Sequence, residues 1–209
     1  MNDIAQIWWI ELIKALPSLI VSLLAAYFII KYPRELWSLF RRINKFKGFG
    51  IEAEFASESL DNAISAHALT VGQDDRQSAL KRLDFIAPLL KDTRILWIDD
   101  NHANNRYERA LLERFGIHFT LASSSAQAET ALRENVFLLV ITDSQREGRA
   151  TEGLDFVKRM VEERIYRWTI AYVGSDQDGL PRPPYLFGIT NRPDQLIHLV
   201  CDIVERERI

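Results

Sequence analysis

Three carboxylates stand where this chain could use them for chemistry. Asp99 and Asp100 directly follow the apolar run ILWI, and Asp143 directly follows FLLVIT. Carboxylates gathered in one place repel one another unless a cation sits between them. Oxygen donors of this kind suit Mg2+, which takes one or two carboxylates and keeps places for water and phosphate oxygens. A metal-neutralised aspartate could then attack a phosphoryl group, because the metal offsets the charge on both partners. Arg192, in TNRP, is a basic residue placed to bind the phosphoryl oxygens. The plainer reading makes each acid an ordinary loop residue.

For the acids to meet, the fold must bring together residues 44 positions apart. The chain from Thr93 onward supplies elements that do so. RILWI, HFTLAS, FLLVIT, WTIAYV and a short FGIT read as strands. Between them, NNRYERALLERFG, SSAQAETALREN and GLDFVKRMVEER read as helices, and RPDQLIHLVCDIVERE closes the chain as another. In the first of these helices Tyr107, Ala110, Leu111 and Phe115 share a face, and Gly116 is a natural stop. The second starts on a serine N-cap. Strict alternation argues for an open α/β sheet with helices on both faces. Sites in such sheets lie outside the carboxyl ends of the strands, where all three acids fall.

The preceding segments differ. Residues 7–30, IWWIELIKALPSLIVSLLAAYFII, hold 16 uncharged residues from Ala15 to Ile30, with Glu11 and Lys14 before them. About 20 apolar residues cross a bilayer. Trp8, Trp9, Tyr32 and Trp37 flank the run as interfacial aromatics do. Residues 31–47 carry a net charge of +5, against −1 for residues 1–30 and −7 for residues 48–209. Positive flanks stay inside, which predicts a single-pass anchor in the cell inner membrane with the N-terminus outside and the body cytoplasmic. A signal peptide fits poorly, because the basic residues follow the apolar run. The competing reading is a buried helix of a soluble domain.

Residues 48–92 read as a partly helical linker. Ile51 to Phe55 alternate apolar and acidic residues, which suits a short extended piece. Leu60, Ile64 and Ala68 have helical spacing, VGQDD breaks it, and Leu80, Leu83, Ile86 and Leu90 give a second amphipathic helix over 75–91 that Pro88 should kink or shorten. A spacer packed on the following domain fits better than a dimerising helix, since a heptad seam needs more repeats. The single cysteine, Cys201, excludes an intrachain disulfide, and the four histidines lack zinc-ligand spacing.

Residues 93–209 resemble the receiver domain of two-component response regulators, through the Asp99–Asp100 pair after strand one and Asp143 in LLVITDSQREG after strand three. The resemblance implies a flavodoxin-like, doubly wound, five-stranded parallel sheet. It implies that Asp143 is a phosphoacceptor and that Asp99, Asp100, Asp143 and the Gln145 carbonyl hold Mg2+. It implies a switch hydroxyl after strand four, at Ser175 unless the match falls on Val173 or Gly174, and a phosphoryl-binding cation at Arg192. The chain departs from the pattern in three places. Arg192 replaces lysine before Pro193, Arg146-Glu147 replaces Met-Pro, and DQDGLPRPPYLF leaves no room for a normal fourth helix. Arg146 would either bind a phosphoryl group or occupy the metal's place.

The expected role is therefore a membrane-anchored receiver in a phosphorelay, not an enzyme. A histidine kinase or other signalling protein is its expected partner, and a second copy of the chain is another candidate. Nucleic acid is not expected, since no recognition helix is visible and the chain ends with the last receiver helix. Two other readings stand beside it. One is an unphosphorylated pseudo-receiver that only binds partners. The other is a nucleotide-acting membrane effector, although DDNHANN lacks the glycines of a phosphate loop.

Overall fold

Parallel strands buried on both faces need apolar residues at nearly every position, and TRILWI and LVIT meet that need. In this computed structural model the described residues are 31, 54–145, 148, 151–165, 167–174 and 183–208. The chain divides into compact units Met1–Ile51 and Glu52–Ile209, and every described residue except Lys31 belongs to the second. The segment 7–30, almost all of 31–47, and Arg146 and Ser175 lie outside the described residues.

Residues 54–66 form helix α1. Helix α2 follows at Gln73–Leu90. Strands and helices follow, alternating up to β4: β1 Thr93–Ile98, α3 Arg106–Arg114, β2 Ile117–Ala122, α4 Ser125–Glu134, β3 Leu139–Thr142, α5 Glu152–Glu162, β4 Trp168–Tyr172, then β5 Gly188–Thr190 and α6 Pro193–Arg208. All strand pairs are parallel, in the order β2-β1-β3-β4-β5. That order is the flavodoxin-like one, as expected.

Alternation along the strands divides the core in two. Ile95, Trp97, Leu139, Ile141, Ile170 and Tyr172 face one way and join α1, α2, α3 and α6. Leu96, Ile98, Val140, Ala171 and Val173 face the other way and join α4 and α5. Helix α2 buries Ala79, Leu83, Ile86 and Leu90 in the first cluster. Burying its two leucines and one isoleucine stabilises by roughly 5–9 kcal/mol in total, as an upper bound. On the outside, Arg82 bonds Asp202, at 2.7 Å, and Glu205 of α6. The segment read as a linker thus contributes two helices to the same core as the sheet.

Several local expectations are corrected. Glu54 and Phe55 are helical, not extended. Ala68 lies past the end of α1, with a positive φ of 52° in the turn to α2. Helix α2 runs through Pro88 to Leu90. The proline falls in the last turn, so only one intrahelical bond is forfeited there. The buried side of α3 is Glu108, Leu111 and Leu112, while Tyr107 is only half-buried. A charged residue takes the core position because two partners reach it, as described below. Gly116 does end α3, at φ 85°, and Ser124 does cap α4 by accepting a hydrogen bond from the Gln127 amide. Between β4 and β5, residues 183–187 hold a turn closed by Leu186 N–H donating to the Pro183 carbonyl, at 3.0 Å. Among the described residues no helix is long and apolar enough to cross a membrane.

Candidate functional site

Strands β1 and β3 are direct neighbours, with Ile98 opposite Thr142. The next residue of each is an aspartate. Asp99 N–H donates to the Ala122 carbonyl and Asp143 N–H to the Ile98 carbonyl, both at 3.0 Å. The last rungs of the sheet therefore fix the backbone of both acids, on strands that lie about 4.8 Å apart. Asp100 follows on the exposed loop, and Asp143 is half-buried.

The two rim acids have different surroundings. Asp99 is buried, at 6% exposure. Its Oδ1 accepts from Asn101 N–H at 2.7 Å and its Oδ2 from the Asn105 amide at 2.6 Å. Asn105 in turn accepts from Arg109, which lies over the Trp97 ring. Burial raises the Asp99 pKa above the usual carboxylate value, with the Asn101 amide opposing. Burial also lowers that of Arg109. Asp143 Oδ1 accepts from Gln145 N–H at 3.2 Å, and its carbonyl accepts from the Thr142 hydroxyl at 3.1 Å. Gly153 of α5 approaches the same carbonyl closely. A Cβ there would sit 1.9 Å from the Asp143 oxygen, and Gly153 N–H donates to Ser144 at 3.0 Å. Only glycine allows this approach.

At the edge of the sheet, after β5, Arg192 is already engaged. Its Nε and Nη2 donate to both oxygens of Asp194, at 3.1 and 2.6 Å. Nη2 also reaches Asp75 in the first turn of α2, at 2.7 Å. The bonds to Asp194 and then Asp75 push the guanidinium pKa up. Asp194 is buried, whereas Asp75 is exposed.

Between these two regions lies a cluster that the sequence reading did not single out. Glu108 of α3, 3% exposed, accepts through Oε1 from the Tyr172 hydroxyl at 2.7 Å and bonds His67 Nε2 at 2.8 Å. The His67 ring also packs edge-on against Tyr172, with centroids 5.5 Å apart. The Glu108 bond raises the His67 pKa while burial opposes it. His67 and Gly174 help line a cavity of about 470 Å³ with Asn104, Arg106 and Tyr107. The sequence did carry a signal for Glu108. It stands three and four residues before Leu111 and Leu112, on the apolar side of the helix. His67 and Asp75 carried none, since neither breaks a pattern. His102, beside Asp99 in sequence, instead bonds Ser123 Oγ at 3.0 Å.

Asp99 and Asp143 thus meet at one rim, Asp100 lies beside them on the loop, and Arg192 lies two residues past the carboxyl end of β5. Ser175 lies outside the described residues. The donor chemistry, oxygen throughout, suits Mg2+. Among the described residues, however, no group of three or more His, Cys, Asp or Glu side chains is gathered to hold a metal ion.

No family model matches this sequence, and no curated protein matches it. Solved structures do. A response regulator receiver domain protein from Clostridium thermocellum is 23% identical, covering 56% of this chain and 97% of that one at a TM-score of 0.46. A Francisella response regulator receiver domain is 17% identical, over 56% of this chain and 100% of that one, at 0.48. TrrA from Thermotoga maritima, a response regulator solved in complex with Mg2+ and BeF, is 18% identical, over 53% and 98%, at 0.46. The fold assignment rests on the sheet order and register, not on these likenesses.

Proposed function

We propose that residues 93–209 act as a divergent receiver that accepts a phosphoryl group on Asp143 and signals through protein contacts. The observation that supports this reading is the adjacency of Asp99 and Asp143 at the carboxyl ends of neighbouring parallel strands. In the transfer, an Asp143 carboxylate oxygen forms a bond to phosphorus. The bond from phosphorus to the donor breaks, and the donor keeps that electron pair. For a phosphohistidine donor the imidazole then takes a proton from solvent.

Asp100, Asp143 and the Gln145 carbonyl are the donors we assign to Mg2+, with Asp99 beside them. When bound, the cation supplies charge neutralisation at the phosphoryl oxygens. Asp99 shapes the loop that carries Asp100, through the Asn101 and Asn105 bonds. Arg192 supplies the positive charge from the edge of the sheet.

The partner in this reading is a histidine kinase or another signalling protein. Anchoring through residues 7–30, with the receiver on the cytoplasmic side, is part of the proposal and rests on the sequence alone. A second reading, a receiver fold kept only for binding, draws support from the prior engagement of Arg192 by Asp194 and Asp75.

One experiment separates the two. The full chain is incubated with acetyl phosphate and Mg2+ and its intact mass is measured. A gain of one phosphoryl group that disappears in Asp143→Asn is expected. No gain, together with no Mg2+ binding by titration calorimetry, would leave the binding module.

A further inference from the structure

We propose that α2 is a latch on the rim, held by Asp75 on Arg192 and released when a phosphoryl group on Asp143 competes for that arginine. The inference rests on the phosphoacceptor reading above and adds its regulation.

Arg192 has two carboxylate partners of unequal kind. Asp194 is two residues away in sequence and buried, so it travels with Arg192. Asp75 is 117 residues away, on a different helix, with 55% of its side chain exposed. Exposed ion pairs are weakly held. A phosphoryl group carries more charge and three acceptor oxygens, so it is the stronger partner for a guanidinium. The bond to Asp75 is therefore the one that yields.

What yields with it is limited by the packing. From Ala79 onward α2 buries one side in the core, and Arg82 holds it to α6. The first turn of α2 is tied instead to α1 and to the turn before it, through Arg76, which donates to Asp61 at 2.7 Å and to the Val71 carbonyl at 2.9 Å. Its N-cap, Gly72, offers no side-chain bond. Before it runs the turn through Ala68 and Val71, and His67 then grips Glu108. Release of Asp75 removes the tie of residues 68–78 to the rim and leaves them held by the buried Val71 and by the Arg76 bond to α1, between His67 and Ala79. This stretch joins α2 to α1, and α1 follows the basic segment in sequence. A change at the rim thereby reaches the part of the chain that leads to the N-terminus.

The test uses the full chain with and without acetyl phosphate and Mg2+. Hydrogen exchange is read over residues 68–78, and adduct formation is followed by intact mass. Expected in the wild type is a loss of protection over 68–78 that accompanies the adduct. Asp75→Asn should show that loss before any phosphodonor is added. It should also form the adduct about fivefold faster or more, the lower end of ordinary coupling between sites. Arg82→Gln, which weakens the hold of α2 on α6 but leaves Arg192 alone, should not change the adduct rate. An adduct on Asp143 with unchanged protection in the wild type and an unchanged rate in Asp75→Asn overturns the latch alone. Absence of any adduct in all variants overturns the phosphoacceptor reading and the latch with it.

Discussion

The two faces of the sheet are built unequally. One is covered by α3 and α6 and also by α1 and α2, so its core runs from Ala56 through Trp97 to Val204. The other is covered by α4 and α5, and its core runs from Leu96 through Phe156 to Leu186 without a further pair of helices. The first face also carries the His67 and Asp75 contacts that tie the N-terminal helices to the rim. Among the described residues, the helices that precede β1 pack on one side only. The acidic rim sits between a reinforced face and a lighter one, which gives each face its own way to fail.

Truncation of a core leucine on each face measures the inequality. Leu83→Ala on α2 should cost at the upper end of the roughly 2–5 kcal/mol known for buried leucines, because Leu83 is wholly enclosed. Leu132→Ala on α4 should fall at the lower end, since that site is at 8% exposure and can collapse. Chemical denaturation of both variants reads this directly. If Leu83→Ala leaves the main transition in place, α2 is an added spacer and the two faces are alike. The next effect in size concerns the rim itself. Gly153→Ala forces a Cβ onto the Asp143 carbonyl and should cost about 1–3 kcal/mol, as overpacking does. It should also slow phosphoryl transfer, because the backbone of Asp143 must give way. Unaltered stability and an unaltered rate would show that this loop is not held by α5.

The strands, their order of burial and the meeting of Asp99 with Asp143 were legible because period and apolar runs are local properties. ILWI and FLLVIT announce strands buried on both faces, and an acid after each must reach the rim. Helix existence was legible for the same reason, down to Gly116 and the serine cap. The contacts across the fold were not. Arg192 looks in sequence like a cation awaiting an anion, yet two carboxylates already hold it, one of them from α2. Glu108 stands on the apolar side of its helix, yet nothing near it in sequence names Tyr172 and His67, which come from 64 and 41 residues away to bond its Oε1. Ala68 keeps helical spacing while its backbone has left the helix. For Arg192 and Glu108 a long-range partner, which no local pattern encodes, decided the outcome, whereas Ala68 closes a local turn with its N–H on the Ser65 carbonyl.

The His67 contact makes the reinforced face sensitive to pH. Its Nε2 faces Glu108, which the Tyr172 hydroxyl also reaches, and Asp99 adds a smaller pull. The folded pKa lies above the ordinary 6.5. The folded state thus binds the proton more tightly than the unfolded chain does. The resulting stabilisation is complete below the unfolded pKa and is lost as pH rises through the raised folded one. Stability measured from about pH 6 to about pH 9 should decline more in the wild type than in His67→Gln, where this linkage is gone. Parallel curves would mean that Glu108 is satisfied without a charged partner.

The smallest effect is expected on the outer side of the same helix. Phe85 is 79% exposed, two positions from the enclosed Leu83. Replacing it by serine should change stability by no more than about 0.5 kcal/mol, as for a surface site without special contacts. Leu83 and Phe85 together then assign the whole contribution of α2 to its inward side. A larger loss in Phe85→Ser, one that grows with protein concentration, would mean that a second copy covers this helix in solution. The reinforced face would then extend beyond one chain, and the contrast between the faces would be sharper still.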